Sequence, residues 1–296
     1  MAFVATLIAN PSNPVLNSDI GEAASKMLQA SGLYWLADGI ACDIALHDTT
    51  DPQQAQAQLR QMFDTIKVDV AVQRAETRRK ALLLADMDST MIDQECIDEL
   101  AAEVGLKSKV ADITARAMNG EIEFEPALRE RVALLKGLPV AVISQVIEKR
   151  ITLASGGPAL VATMRANGAR AALVSGGFTV FTDPVAAMLG FDENRANILE
   201  VEGDTLCGKV HEPILGKQAK IDALEDLVER MDISVEDVIA VGDGANDLGM
   251  LERAGSGVAL HAKPAVAALA DIRIDHGDLT ALLYLQGYRK SDFITP

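Results

Sequence analysis

Nitrogen and sulfur ligands for metals are scarce in this chain. Its 296 residues include four histidines and three cysteines, Cys42, Cys96 and Cys207, all far apart. An odd number of thiols and no C-x-x-C argue against a zinc site or a disulfide framework, and the thiols read as buried groups in a reducing compartment, the cytoplasm. No apolar run approaches the ~18 residues that a membrane-spanning helix needs. Lys26 is the first basic residue and Asn10-Pro11 interrupts the apolar start, a pattern unlike a signal peptide. Positive charge is short as well: 27 Lys and Arg face 43 Asp and Glu, a formal net charge of −16. That balance favours solubility and disfavours nucleic acid or anionic membrane as partners. An anionic small molecule has to be drawn by local cations against the global field.

The length suggests about two domains at ~150 residues each. Residues 1–75 read as a small α/β unit: a strand over Phe3–Ala9, a helix over Asp19–Ala30, a strand over Ile40–His47, a helix over Pro52–Phe63 and a strand over Val68–Val72. No glycine-rich or catalytic signature appears there, so packing or dimerisation, as a possible homodimer, stands beside ligand binding. Arg74–Lys80 carries five charges in seven residues and reads as a linker. A second domain over residues 80–296 follows. Within it, helical periodicities broken by Gly and Pro stops, at about 93–152, form an inserted cap. Strand-helix alternation then resumes, which implies a doubly wound, mostly parallel Rossmann-like sheet.

The strand at Leu82–Ala85 ends in Asp86-Met87-Asp88-Ser89-Thr90. A second, Ala169–Val174, ends in Ser175-Gly176-Gly177, and a third, Val238–Val241, in Gly242-Asp243-Gly244-Ala245-Asn246-Asp247. In a parallel sheet such ends converge on one edge, where open α/β sheets bind ligands. Four aspartates there repel one another unless a cation is present, and an oxygen-only donor set points to Mg²⁺. A Ser-Gly-Gly turn offers backbone N–H groups and a hydroxyl to phosphate oxygens. A serine hydrolase built on Ser175 is disfavoured because G-x-S-x-G fails at Leu173.

These segments, with Lys220, resemble the four motifs of the haloacid dehalogenase superfamily of aspartate-nucleophile phosphotransferases. Glu95, Leu128-Arg129-Glu130-Arg131-Val132 and the Ser175-Gly176-Gly177-Phe178 form of the second motif are similar to the phosphoserine phosphatase branch. The first domain lies outside that resemblance and is weakly similar to regulatory ACT-type domains. The resemblance implies Mg²⁺-dependent hydrolysis of phosphoserine, the last step of serine biosynthesis, with a small-molecule substrate. It makes Asp86 the nucleophile, Asp88 the acid and base, and Lys220 a phosphate-binding lysine, with Lys217 as a nearby competitor. Asp86, the backbone carbonyl of Asp88 and Asp243 are expected to hold the metal, with Asp247 behind them. Ser175, Gly176 and Asn246 are expected at the substrate, with Glu95 on its ammonium and Arg131 on its carboxylate. A phosphatase for another small monoester and a non-catalytic amino-acid or phosphate sensor are the rival expectations.

Overall fold

The first sheet owes its shape to strands that are apolar on both faces. The computed structural model describes residues 3–295. Its first four strands are β1 (Phe3–Ala9), β2 (Gly32–Ala37), β3 (Ala41–Ala45) and β4 (Val68–Arg74), in antiparallel order β2-β3-β1-β4. Helices α1 (Ser18–Met27) and α2 (Pro52–Met62) cover one face, where Ala5, Leu7, Cys42, Ile44 and Val70 pack with Ala24 and Leu59. Each helix starts on a side-chain cap: Asn17 accepts from the N–H of Ile20 at 2.9 Å, and Asp51 from that of Gln53 at 2.9 Å. The order is β-α-β-β-α-β, the split ferredoxin-like arrangement. One strand more is present than the sequence reading gave. The extra element is β2, an edge strand that begins at Gly32 and carries a bulge between Trp35 and Ala37.

The other face of this sheet does not meet solvent. Ile8, Ala37, Ile40, Ala41 and Ala71 share an apolar core with residues of the second domain, among them Leu282, Leu283 and Tyr284. Polar contacts reinforce the junction. Asp69 accepts from the N–H groups of Asp275 (2.8 Å), His276 (3.1 Å) and Gly277 (2.7 Å), and Asn10 donates to the carbonyl of His276 at 2.8 Å. The charged segment between the domains is pinned too. Arg78 bonds Asp43 at 2.6 Å, and buried Lys80 donates to the carbonyl of Glu236 at 2.6 Å.

The second sheet is parallel throughout, with order β12-β11-β10-β5-β6-β7. Its strands are β5 (Leu82–Ala85), β6 (Arg170–Phe178), β7 (Glu193–Asn197), β10 (Val238–Gly242), β11 (Ser256–Leu260) and β12 (Ile272–Ile274). Alternate residues face opposite ways, as a pleated strand requires. Leu82, Leu84, Val238 and Ala240 pack under α9 (Lys217–Met231) and α10 (Leu248–Arg253). Leu83, Ala85, Ile239 and Val241 face the other side, with α7 (Gly157–Ala166), α8 (Thr179–Leu189) and α12 (Ala281–Leu285); short α11 (Pro264–Ala267) precedes β12. Two-sided burial explains why these strands read as continuous apolar runs. The expected doubly wound sheet, inserted helices and small N-terminal α/β unit are all present.

Between β5 and α7 the chain inserts α3 (Cys96–Ala102), α4 (Lys107–Met118), α5 (Phe124–Ala133) and α6 (Ala141–Arg150). The two ends of the insertion are stitched together where Ile92 and Leu153 form an antiparallel bridge. A hairpin, β8 (Leu199–Glu202) and β9 (Thr205–Val210), braces the insertion from the far side: Leu206 exchanges backbone bonds with Gly137 and Leu138, each 2.9 Å. No helix among the described residues is long and apolar enough to cross a membrane.

Candidate active site

The carboxyl ends of β5, β6 and β10 open beneath the cap. Asp86 follows β5, and its N–H donates to the carbonyl of Val241, so the two neighbouring strand ends are tied at 3.0 Å. The chain then turns on the carbonyl of Met87, which accepts from the N–H groups of Met91 and Ile92 at 2.8 and 3.1 Å. Ser89 in that turn has φ 55°, a conformation that non-glycine residues seldom adopt. Its hydroxyl donates to Glu95 Oε1 at 2.8 Å, so the strained turn fixes an acidic side chain at the entry to the cap.

Asp86, Asp243 and Asp247 place carboxylate oxygens within 4.8 Å of one another. Lys220, fully buried on α9, sits between two of them: Nζ lies 2.7 Å from Asp86 Oδ1 and 2.6 Å from Asp247 Oδ1. Lys217, one turn earlier, is exposed. Asp247 folds back onto its own loop, accepting from the N–H of Gly244 at 3.0 Å, and a side chain at Gly242 would collide with its carboxyl. Asp243 receives Thr90 Oγ1 at 3.3 Å on one oxygen, and the partly exposed Lys263 Nζ lies 3.2 Å from the other as an ion pair. That second oxygen, Oδ2, is buried with only this ion pair, and Asn246 Oδ1 is buried with no donor.

Charge in this cluster is unbalanced. Burial and the neighbouring Asp247 push Asp86 well above the usual carboxylate range, against the pull of Lys220. Asp243 is pushed up to about 6 by burial and again by Asp247. Burial opposes the charge on Lys220, yet Asp247 and Asp86 outweigh it and hold the ammonium above the ordinary lysine range. Three clustered carboxylates with an orphaned buried oxygen are the environment a hard divalent cation satisfies, and all the donors are oxygen. The residues present therefore fit such an ion.

Asp88 points to a different part of the cleft. Its Oδ1 accepts from the N–H of Cys96, at the start of α3, at 3.0 Å, and burial raises its pKa against that bond. A side chain at Gly177 would come within 2.8 Å of Asp88 Oδ2, and one at Gly176 within 2.6 Å of Phe124 Cζ. A side chain at either position would have to displace Asp88 or Phe124. Ser175 Oγ accepts from the N–H of Gly177 at 2.8 Å.

Glu95 and Arg131 face the same cleft from the cap. Arg131 is buried, 2% exposed, which excludes a merely solvated charge. It donates to Thr114 Oγ1 at 3.0 Å and to the carbonyl of Ala127 at 3.2 Å, and Thr114 in turn donates to Asp98 at 2.8 Å. Burial, then Asp88 and Asp243, push Glu95 up to about 8. Asp86, Asp88, Ser175, Gly176 and Asn246 lie along the wall of the cleft, together with Glu95, Arg131 and Phe124. The cap rests on the core here, with the N–H of Ala245 donating to the carbonyl of Met118 at 3.0 Å.

Every site residue named from the sequence falls in the cleft or in the carboxylate cluster at its base. Thr90, Thr114 and Lys263 were missed. Thr90 carried a signal, since it closes the first motif. Lys263 carried none, because only tertiary contacts bring it to the site.

The sequence profile of the haloacid dehalogenase-like hydrolases matches residues 83–252. The chain belongs to that family, as its four motifs implied. It is 42% identical to a phosphoserine phosphatase of Archaeoglobus fulgidus over 234 residues, 78% of this chain and 68% of the relative. The crystal structure of a haloacid dehalogenase family hydrolase from Salmonella enterica serovar Typhi superposes with a TM-score of 0.85 at 29% identity, covering 96% of this chain and 98% of that one. A probable phosphoserine phosphatase from Vibrio cholerae, in unliganded form, gives a TM-score of 0.75 at 31% identity over 98% of this chain and 88% of its own.

Proposed function

We propose that this chain hydrolyses O-phosphoserine to serine and phosphate, with Mg²⁺ as its cofactor, and so serves the last step of serine biosynthesis. The observation that carries the reading is the make-up of one cleft. A buried carboxylate, a serine hydroxyl and glycine amides lie at its base, and a carboxylate and a buried guanidinium lie on its cap side. Phosphoserine has three charged groups, and that cleft offers a partner to each. The name of the Archaeoglobus relative supports the same substrate.

In this reading Asp86 attacks phosphorus, the phosphorus–oxygen ester bond breaks, and an aspartyl phosphate forms. Asp88 gives its proton to the departing seryl oxygen, a role suited to a carboxyl whose pKa burial has raised. Asp88 then takes a proton from the water that attacks the aspartyl phosphate, and phosphate leaves with Asp86 restored. Bringing a carboxylate to a phosphate dianion costs roughly 8 kcal/mol at ~4 Å and an effective dielectric of ~20. Lys220 offsets part of that, and Ser175, Gly176 and Asn246 hold phosphoryl oxygens. Mg²⁺ held by Asp86, Asp243 and the backbone carbonyl of Asp88, with Asp247 behind them, would supply the remaining positive charge. Glu95 takes the ammonium, which draws it back toward its ionised form, and Arg131 takes the carboxylate. None of the described residues 3–75 lines the cleft, and on this reading the first domain serves packing, dimerisation or regulation.

The test is phosphate release from phosphoserine, phosphothreonine and sugar phosphates, each with Mg²⁺ and with a chelator. Metal-dependent turnover that favours phosphoserine is expected. A preference for sugar phosphates would replace the substrate, and turnover undiminished by chelation would remove the metal.

A further inference from the structure

Asn197, the last residue of β7, is buried and lines no part of the cleft, yet its carboxamide makes three hydrogen bonds. Nδ2 donates to the carbonyl of Gly176 at 2.9 Å and to that of Leu215 at 3.1 Å, and Oδ1 accepts from the N–H of Leu215 at 2.7 Å. The paired bonds to Leu215 fix which way the amide faces, because the reverse orientation would set oxygen against two carbonyls.

Each arm holds a different part of the site. The peptide unit joining Gly176 and Gly177 is gripped at both ends: Asn197 holds its carbonyl, and its N–H donates to Ser175 Oγ at 2.8 Å. The serine oxygen accepts that bond, so its own proton is free to be donated elsewhere. Leu215 directly precedes Gly216, the residue that opens α9, and the N–H of Lys220 bonds the carbonyl of Gly216 at 3.3 Å. One side chain thus ties the glycine loop to the helix that carries the buried lysine.

We propose that Asn197 is a positioning residue that sets the Ser175–Gly177 loop in register with the Lys220 helix, so that hydroxyl, amide and ammonium meet one phosphoryl group together. The inference rests on the phosphate-ester reading of the cleft. It is independent of which alcohol the ester carries.

Asn197→Asp keeps the shape and the acceptor for Leu215 but puts oxygen where the donor stood; Asn197→Ala removes all three bonds. In folded variants, kcat for phosphoserine and for p-nitrophenyl phosphate should fall together by roughly 10–100-fold, as expected for misplaced binding groups. Inhibition by inorganic phosphate should weaken, and the preference between the two esters should stay as in the parent. Adding Ser175→Ala should then cost less than it does alone, since the two residues act through one loop. A lower Tm with parental kcat, or fully multiplicative losses, would overturn the proposal. If both variants fail to fold, hydrogen exchange of the parent with inorganic phosphate and Mg²⁺ decides. Protection should rise at 176–177 and 215–220 together, and a rise at the loop alone would overturn the coupling. A parent that hydrolyses neither ester would remove the reading under Proposed function and this inference with it. Parental kcat in the variants would remove this inference alone.

Discussion

Asp69 in the first domain and Asp86 in the second are buried to the same degree, 4% and 5% exposed, so exposure does not separate them. Their partners do. Asp69 is met by three successive backbone N–H groups of residues 275–277, and its neutralising contacts come from the chain itself. Asp86 shares one lysine with Asp247 and stands beside Asp243, whose Oδ2 has only the ion pair to the partly exposed Lys263. A buried carboxylate costs several kcal/mol unless it is paired or hydrogen-bonded. Where the protein meets that cost within the fold, the group is structural, here a joint between two domains. Where three such groups share one buried lysine and one partly exposed lysine, negative charge is in excess, an added cation relieves it, and the group is available for chemistry.

The largest expected contrast is between the two aspartates themselves. Asp86→Asn keeps the shape and removes the nucleophilic charge, and turnover should drop by roughly 10⁴-fold or more while the fold persists. Circular dichroism and phosphate release, measured on one preparation, check both halves. Persistence of parental turnover would place the nucleophile elsewhere.

The metal gives the next test. Saturating Mg²⁺ should stabilise the parent by about 2.7 kcal/mol at a hundredfold excess over Kd, read as a rise in Tm. Asp243→Asn should lose that rise, yet in chelator it should be no less stable than the parent, because one of three repelling carboxylates is gone. A variant clearly less stable in chelator would mean that Asp243 is held by contacts of the kind found at Asp69.

Glu95→Gln and Arg131→Ala should each lower kcat/KM for phosphoserine by roughly 10- to 150-fold, the value of a charge-assisted bond of about 1.5–3 kcal/mol. The effect on p-nitrophenyl phosphate, which lacks ammonium and carboxylate, should be much smaller. Equal losses on both esters would confine these residues to holding the cap together. That outcome is a fair challenge for Arg131, given its bonds to Thr114 and Ala127.

The smallest effect on catalysis should come from Asp69→Asn. Turning an acceptor oxygen into an NH₂ that faces backbone N–H groups should cost about 1–3 kcal/mol of stability. Denaturant melts should record that cost while kcat per folded molecule stays unchanged. A loss of kcat would show that the domain joint reaches the site.

How much of this was legible depended on where a residue's partners lie in the chain. Strands buried on both faces, such as Leu82–Ala85 and Val238–Gly242, declare themselves as apolar runs, and the polar residues that end them mark the site. Two of the edge strands do not. Glu193–Asn197 has no apolar pattern because its side chains are spent on ion pairs, Arg195 with Glu193 and Asp226. Gly32–Ala37 is obscured by its bulge and by the exposed Tyr34. Asn197 was invisible for the same reason, since its value lies in two loops brought to it by the fold. Arg131 was legible as a charge in the right place, but its burial and its link through Thr114 to Asp98 appear only in three dimensions.

The central claim is that Asp86, the buried carboxylate that shares its one lysine with Asp247, takes the phosphoryl group. The most direct measurement quenches turnover of ³²P-labelled phosphoserine in acid, digests the protein and locates the label by mass spectrometry. The account predicts a hydroxylamine-labile label, as an acyl phosphate gives, on the peptide that contains Asp86. Label on Asp88, Thr90 or Ser175, or turnover with no labelled protein at any quench time, would contradict it.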